Sequence, residues 1–265
     1  MSITMAAREV VAFGAPFRPL HEDFSDPGVA GDFISALRAK TEPLVLRVSV
    51  VGRDWFQASP WCGDWLCEAD GSEPRRLREP NWSRNEHARD WASEREWIDA
   101  WEGCENASWV LNELPTLGVD WRSALLAACD CARLALPYAP RGDDRPLRAV
   151  EAAEALARGE AARADARRAA AAADEAADEA ANGPEDAADG GRASHACRAC
   201  ACAALSYSAL SSYASGRGAE YAGHMTSEAA REAMAAMAGR ARIDALMGAV
   251  RRRIAALEVL RAAAE

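Results

Sequence analysis

Apolar positions follow two different rhythms along this chain, and each predicts its own kind of element. Residues 42–56, "EPLVLRVSVVGRDWF", hold a β-branched run between Pro43 and Gly52 with little helical periodicity, which predicts a strand. A strand needs a partner, so a small sheet is expected, although the pattern does not place its other strands. "GDFISALRAK" (31–40) predicts a short helix with Asp32 near its N-cap, and residues 57–92 read as largely irregular. In "SEREWIDAWEGC", Ser93 and Glu96 have capping-box spacing, and Trp97 and Trp101 fall on one helical face. From residue 120 onward the rhythm is helical. "DWRSALLAACDCARLALP" (120–137) starts at Asp120 and ends at Pro137. "DDRPLRAVEAAEALARG" (143–159) has an aspartate cap, a proline in its first turn and a closing glycine. Residues 160–181 predict a long alanine-rich helix and 182–191, "NGPEDAADGG", a loop; helices are expected again over 192–214, 227–238 and 240–264.

Composition sharpens this division. All nine tryptophans lie between Trp55 and Trp121, and alanine dominates the chain beyond Trp121. The expected architecture is mainly α: an alanine-rich helical bundle over 119–265, and a smaller mixed α/β or irregular Trp-rich region over 1–118. Alanine faces let helix axes approach toward the lower end of the usual separation of about 8–10 Å.

Charge is uneven in the same sense. The net charge is −10; residues 1–120 carry 12 Lys/Arg against 21 Asp/Glu, and residues 121–265 carry 19 against 20. An acidic front half argues against a phosphate backbone as ligand and suits a basic protein partner, though it also serves solubility. No apolar run approaches the roughly 20 residues of a membrane helix, and "MSITMAAREVVAFGAP" lacks the pattern of a secretory signal. A cytoplasmic location is therefore expected, where the eight cysteines stay reduced.

Four of the chain's metal-capable side chains crowd into "SHACRACACAAL" (194–205). On a helix, with His195 as zero, Cys197 lies near about 200°, Cys200 near about 140° and Cys202 near about 340°. Zinc needs its ligands at about 2.0–2.3 Å, so these four cannot converge on one ion from an intact helix. Cys129 and Cys131 diverge likewise, and Cys62 and Cys67 have no unambiguous partner pair. The cysteines are thus expected to be small apolar core residues on a central helix, with no metal and no cofactor. The four histidines stand beside no obvious nucleophile, and nucleophile-elbow, phosphate-loop and zincin motifs are missing, so no catalytic residue is assigned. Asp143 and Asp144 could hold a metal, but before Arg145 and Pro146 they read better as a helix start with an ion pair. "RRR" (251–253) reads as a solvated helix face.

"AACDCARLALPYAPRGDDRPLRAVEAAEALARGE" (127–160) resembles a family of bacterial immunity proteins associated with polymorphic toxin systems. The family pattern is matched by Cys131, Ala132, Leu136 and Pro137, then by Asp144, Arg145, Pro146, Ala149 and Glu151, and finally by Gly159 and Glu160. Small-residue helices come next, so the resemblance covers about residues 120–215. It implies a binding protein rather than a catalyst, with Asp143, Asp144, Arg145, Pro146, Glu151 and Gly159 as its structural motif. The partner would be a basic toxin or a defence effector, with neither nucleic acid nor membrane. Tryptophan is enriched among residues that dominate binding energy, which makes Trp61, Asp64, Trp65, Glu68 and Trp82 the candidate partner surface, unless these tryptophans form the front region's core. The other readings are an adaptor or scaffold of a bacterial defence or signalling complex, and a metal-dependent enzyme.

Overall fold

The computed structural model describes residues 9–13, 44–49, 63–67, 75–78, 94–114, 119–183, 187–206, 217–237, 241–256 and 258–259. The expected helix over 31–40, the Ser93 cap, and the candidate residues Trp61, Glu68 and Trp82 lie outside them. Two compact units form: residues 1–77 with 238–240, and residues 78–237 with 241–265. The boundary precedes the compositional change near residue 118, so the Trp-bearing helices before that point pack with the alanine-rich ones.

Among the described residues of the first unit, β1 (Glu9–Phe13), β2 (Leu44–Ser49), β3 (Gly63–Cys67) and β4 (Arg75–Arg76) form an antiparallel sheet of order β1-β2-β3-β4. β2 is the strand expected from "EPLVLRVSV". β3 and β4 place strands of the expected sheet inside 57–92, which read as largely irregular. The sequence of β3, GDWLC, is short, lacks β-branched residues and puts a charge amid apolar positions, so it has no strong strand signature.

Among the described residues the fold is mainly α. The second unit contains α1 (Glu94–Gly103), α2 (Ala107–Glu113), α3 (Trp121–Ala135), α4 (Arg145–Ala157), α5 (Arg163–Asn182), α6 (Ala187–Leu205), α7 (Arg217–Ala236) and α8 (Ala241–Arg253). Their starts and stops follow local chemistry. Asn106 caps α2 by accepting the Trp109 N–H at 3.0 Å. Pro137 sits in a 3-10 turn, Leu136–Tyr138, that ends α3. Asp165 reaches back to the Ala162 N–H at 3.2 Å, the acidic half of a capping box. Asp120 occupies the N-cap of α3 without a side-chain capping bond.

α6, the cysteine helix, packs against α3, α4, α5 and α7. Its buried residues include Ala196, Cys197, Ala199, Cys200, Ala201, Ala203 and Ala204, which spread over about 200° of the helix, and His195, Arg198 and Cys202 opposite them are half-buried. That is why a helix with no single apolar stripe belongs at the centre of a bundle. Small residues bring the neighbours close. α5 buries only alanines, Ala166, Ala170, Ala173, Ala176 and Ala177, and the last two cluster with Cys197. A Cβ on Gly190 would lie 3.0 Å from the Ala180 carbonyl oxygen across the α5–α6 contact. α3 is the second hub, packing on α4, α6, α7 and α8. No helix among the described residues is long and apolar enough to cross a membrane.

Candidate functional site

The Asp-Arg-Pro segment before α4 builds a clamp. Pro146 is buried in the helix's first turn, where a missing N–H costs nothing. Asp143 Oδ1 accepts the Arg145 backbone N–H at 2.9 Å and so performs the capping that the N-cap residue, Asp144, does not. The Arg145 guanidinium closes a fork on the same carboxylate, Nη2 to Oδ2 at 2.6 Å and Nε to Oδ1 at 3.0 Å. Its other edge crosses to α5, donating from Nη1 to Glu179 Oε1 at 3.2 Å and from Nη2 to Oε2 at 2.5 Å. Hydrogen bonds from this guanidinium hold the Asp143 and Glu179 carboxyls below their ordinary range, and the two carboxylates raise Arg145 in turn. Asp144 pairs with Arg148 at 2.5 Å on the exposed helix surface, and Glu151 is exposed. Gly159 has φ +77°, and the bonds Gly159 N–H to Leu156 O and Glu160 N–H to Ala155 O complete a Schellman close. Every motif residue but Glu151 thus starts, stops or tethers α4.

The candidate partner surface is placed only in part. Asp64 and Trp65 lie on β3, with Asp64 opposite Arg47, and Trp65 opposite both Leu46 and Arg76.

The "SHACRACACAAL" side chains separate as helical rotation demands. Cys197 and Cys200 are buried, Cys202 is half-buried, and His195 Nδ1 meets Glu232 Oε2 of α7 at 2.6 Å. Burial pushes the Cys131, Cys197 and Cys202 thiols up to about 12, and raises Cys129 and Cys200 as well. A thiol so held stays protonated and is a weak nucleophile and a weak metal ligand. Among the described residues, no three His, Cys, Asp or Glu side chains are arranged to hold a metal ion.

One polar cluster escapes sequence reasoning. Arg231 of α7, 7% exposed, donates from Nη2 to Ser227 Oγ at 2.8 Å and from Nε to Ser108 Oγ of α2 at 3.4 Å, and it pairs with Glu228. The two serine hydroxyls are 2.8 Å apart, and Thr226 Oγ1 donates to the Leu111 carbonyl at 2.9 Å. Ser227, Glu228 and Arg231 recur at helical spacing, which is a visible signal. Ser108, 119 residues away, is not. The cluster is consumed in joining α2 to α7.

"RRR" is exposed at Arg252 and Arg253, but two of its guanidiniums also hold other helices. Arg251 Nη2 caps the end of α1, donating to the carbonyls of Trp101 at 3.0 Å and Cys104 at 2.9 Å, and Arg253 forks onto Asp130 of α3 at 2.8 and 3.0 Å. Arg252 and Arg253 are both exposed, and Arg251 is half-buried. Comparison with family models, with curated proteins and with solved structures returned no match to this chain.

Proposed function

We propose that this chain is a non-catalytic binding protein that neutralises a cognate bacterial toxin by stoichiometric contact. One observation carries the reading: the motif on which the immunity-protein resemblance rests, from Asp143 to Gly159, is spent on helix punctuation and on the Arg145 clamp between α4 and α5. Such residues maintain a rigid scaffold, which is what an inhibitor presenting a complementary surface requires. The acidic front half, with 12 Lys/Arg against 21 Asp/Glu over residues 1–120, favours a basic target and fast encounter. In this reading the N-terminal, Trp-rich, mixed α/β region presents the partner surface from Trp61, Asp64, Trp65, Glu68 and Trp82, and the protein acts in the cytoplasm.

Co-expression with the toxin-like product of an adjacent reading frame tests this. The expected result is rescue of growth and a 1:1 complex that loosens with salt, with Asp64→Lys and Glu68→Lys together slowing association. An adjacent toxin that kills equally with and without this protein, or one that forms no complex with it, overturns the reading.

A further inference from the structure

The outer face of α5 carries charges in an order that the helix itself disfavours. Ala164, Arg167, Arg168, Ala171, Asp174, Glu175 and Asp178 are all exposed. Arginines thus stand toward the positive N-terminal end of the macrodipole and carboxylates toward its negative C-terminal end, which is the reverse of the stabilising order. Two of the C-terminal acids are answered within the chain, Glu179 by Arg145 and Asp178 by Arg198 at 3.4 Å.

The spacing of the exposed positions is symmetric about Ala171: Arg167 and Glu175 lie four residues to either side, Arg168 and Asp174 three, and Ala164 and Asp178 seven. At about 100° per residue these seven positions fall within a stripe about 120° wide, centred on Ala171. Its four inner charges, Arg167, Arg168, Asp174 and Glu175, map onto one another with inverted sign when the helix direction is reversed.

We propose that this face of α5 docks against the same face of a second copy of the chain, antiparallel, with a two-fold axis at Ala171. A two-fold contact is isologous, so each pairing occurs twice. Two such helices, turned about that axis, bring Arg168 of one copy beside Glu175 of the other, on one side of the seam. Arg167 meets Asp174 on the opposite side, which makes four ion pairs per dimer. Ala171 at the axis has no side chain beyond Cβ, so the backbones can approach closely enough for these charges to meet. The antiparallel arrangement also sets each helix's acidic end beside the partner's basic end, answering the unfavourable order along the single helix. A parallel pairing would set arginine against arginine, so the charges select orientation as well as partner. Arg168 also reaches Asp165 on its own helix, a contact exposed to water and open to exchange. No residue of this seam belongs to the proposed toxin-binding surface.

Sedimentation equilibrium of the full chain at low salt decides it. The native chain is expected to dimerise reversibly and to dissociate as salt rises. Arg167→Glu with Arg168→Glu makes the four pairing positions wholly acidic, and Asp174→Arg with Glu175→Arg makes them wholly basic. Each double variant should weaken self-association by about tenfold or more, four exposed pairs each contributing a fraction of a kcal/mol. An equimolar mixture of the two variants should associate at least as tightly as the native chain, because every pair is restored across the seam. A native chain that stays monomeric, a dimer indifferent to both swaps, or a mixture that fails to associate overturns the proposal.

Discussion

Cys131, Cys197 and Cys202 are each pushed up to about 12 from an ordinary 9.0, with burial as the largest cause. The fold favours the neutral thiol, so folded-state values lie above unfolded ones. The stabilisation is therefore fully present below about pH 9 and is lost as pH rises toward about 12. Urea midpoints should stay flat between about pH 7 and 8.5 and fall above about pH 9. Replacing all three cysteines by alanine should flatten that fall, and an unchanged alkaline slope would contradict the assignment. The divergence of these thiols was legible in the sequence, because rotation along one helix needs only local spacing. The partner of His195 was not. Glu232 lies 37 residues away on another helix, and nothing in the intervening pattern links the two.

At the scale of elements, helix ends marked by Asp, Pro and Gly around α3, α4 and α5 fall within a few residues of expectation, since those residues act on neighbouring backbone. Two helices begin earlier than expected. "NGPEDAADGG" read as a loop, yet α6 begins inside it at Ala187, and α7 begins at Arg217, ten residues ahead of the expected 227. Gly190 and Gly223 look like breakers, but each permits a close approach of another helix's backbone: a Cβ on Gly223 would sit on the Asn112 carbonyl oxygen of α2. Gly223→Ala should accordingly cost about 1–3 kcal/mol through the forced separation of α2 and α7. Gly248 on α8 has its nearest neighbour, Arg252 Nη1, at 3.7 Å, so Gly248→Ala should stabilise by about 0.5–1 kcal/mol. Denaturant melts of the two variants should move in opposite directions. Equal shifts would refute the close approach.

For the molecule as a whole, long-range charge contacts join helices whose order along the chain says little about their neighbours. Arg133 of α3 forks onto Glu154 of α4 at 2.7 and 2.8 Å, Arg253 of α8 holds α3, and Arg251 of α8 caps α1. Arg251→Ala leaves three carbonyls of the α1 end without their charged donor and should cost about 2 kcal/mol, whereas Arg252→Ala should lie within about 0.5 kcal/mol of native. Thermal unfolding of both variants checks this, and equal losses would return the triplet to a solvated face. By itself the sequence determined the helical class, the positions of most helices and the small, buried character of the alanine and cysteine faces, because propensity, capping and rotation act over a few residues. Only the tertiary structure decided that α6 and α3 are the hubs and that α1 and α2 belong with the bundle. It also chose which acids Arg145, Arg231 and Arg253 hold, and which carbonyls Arg251 holds. These choices depend on groups from 2 to 150 residues apart, and the free energy that selects among them comes from packing the whole chain at once.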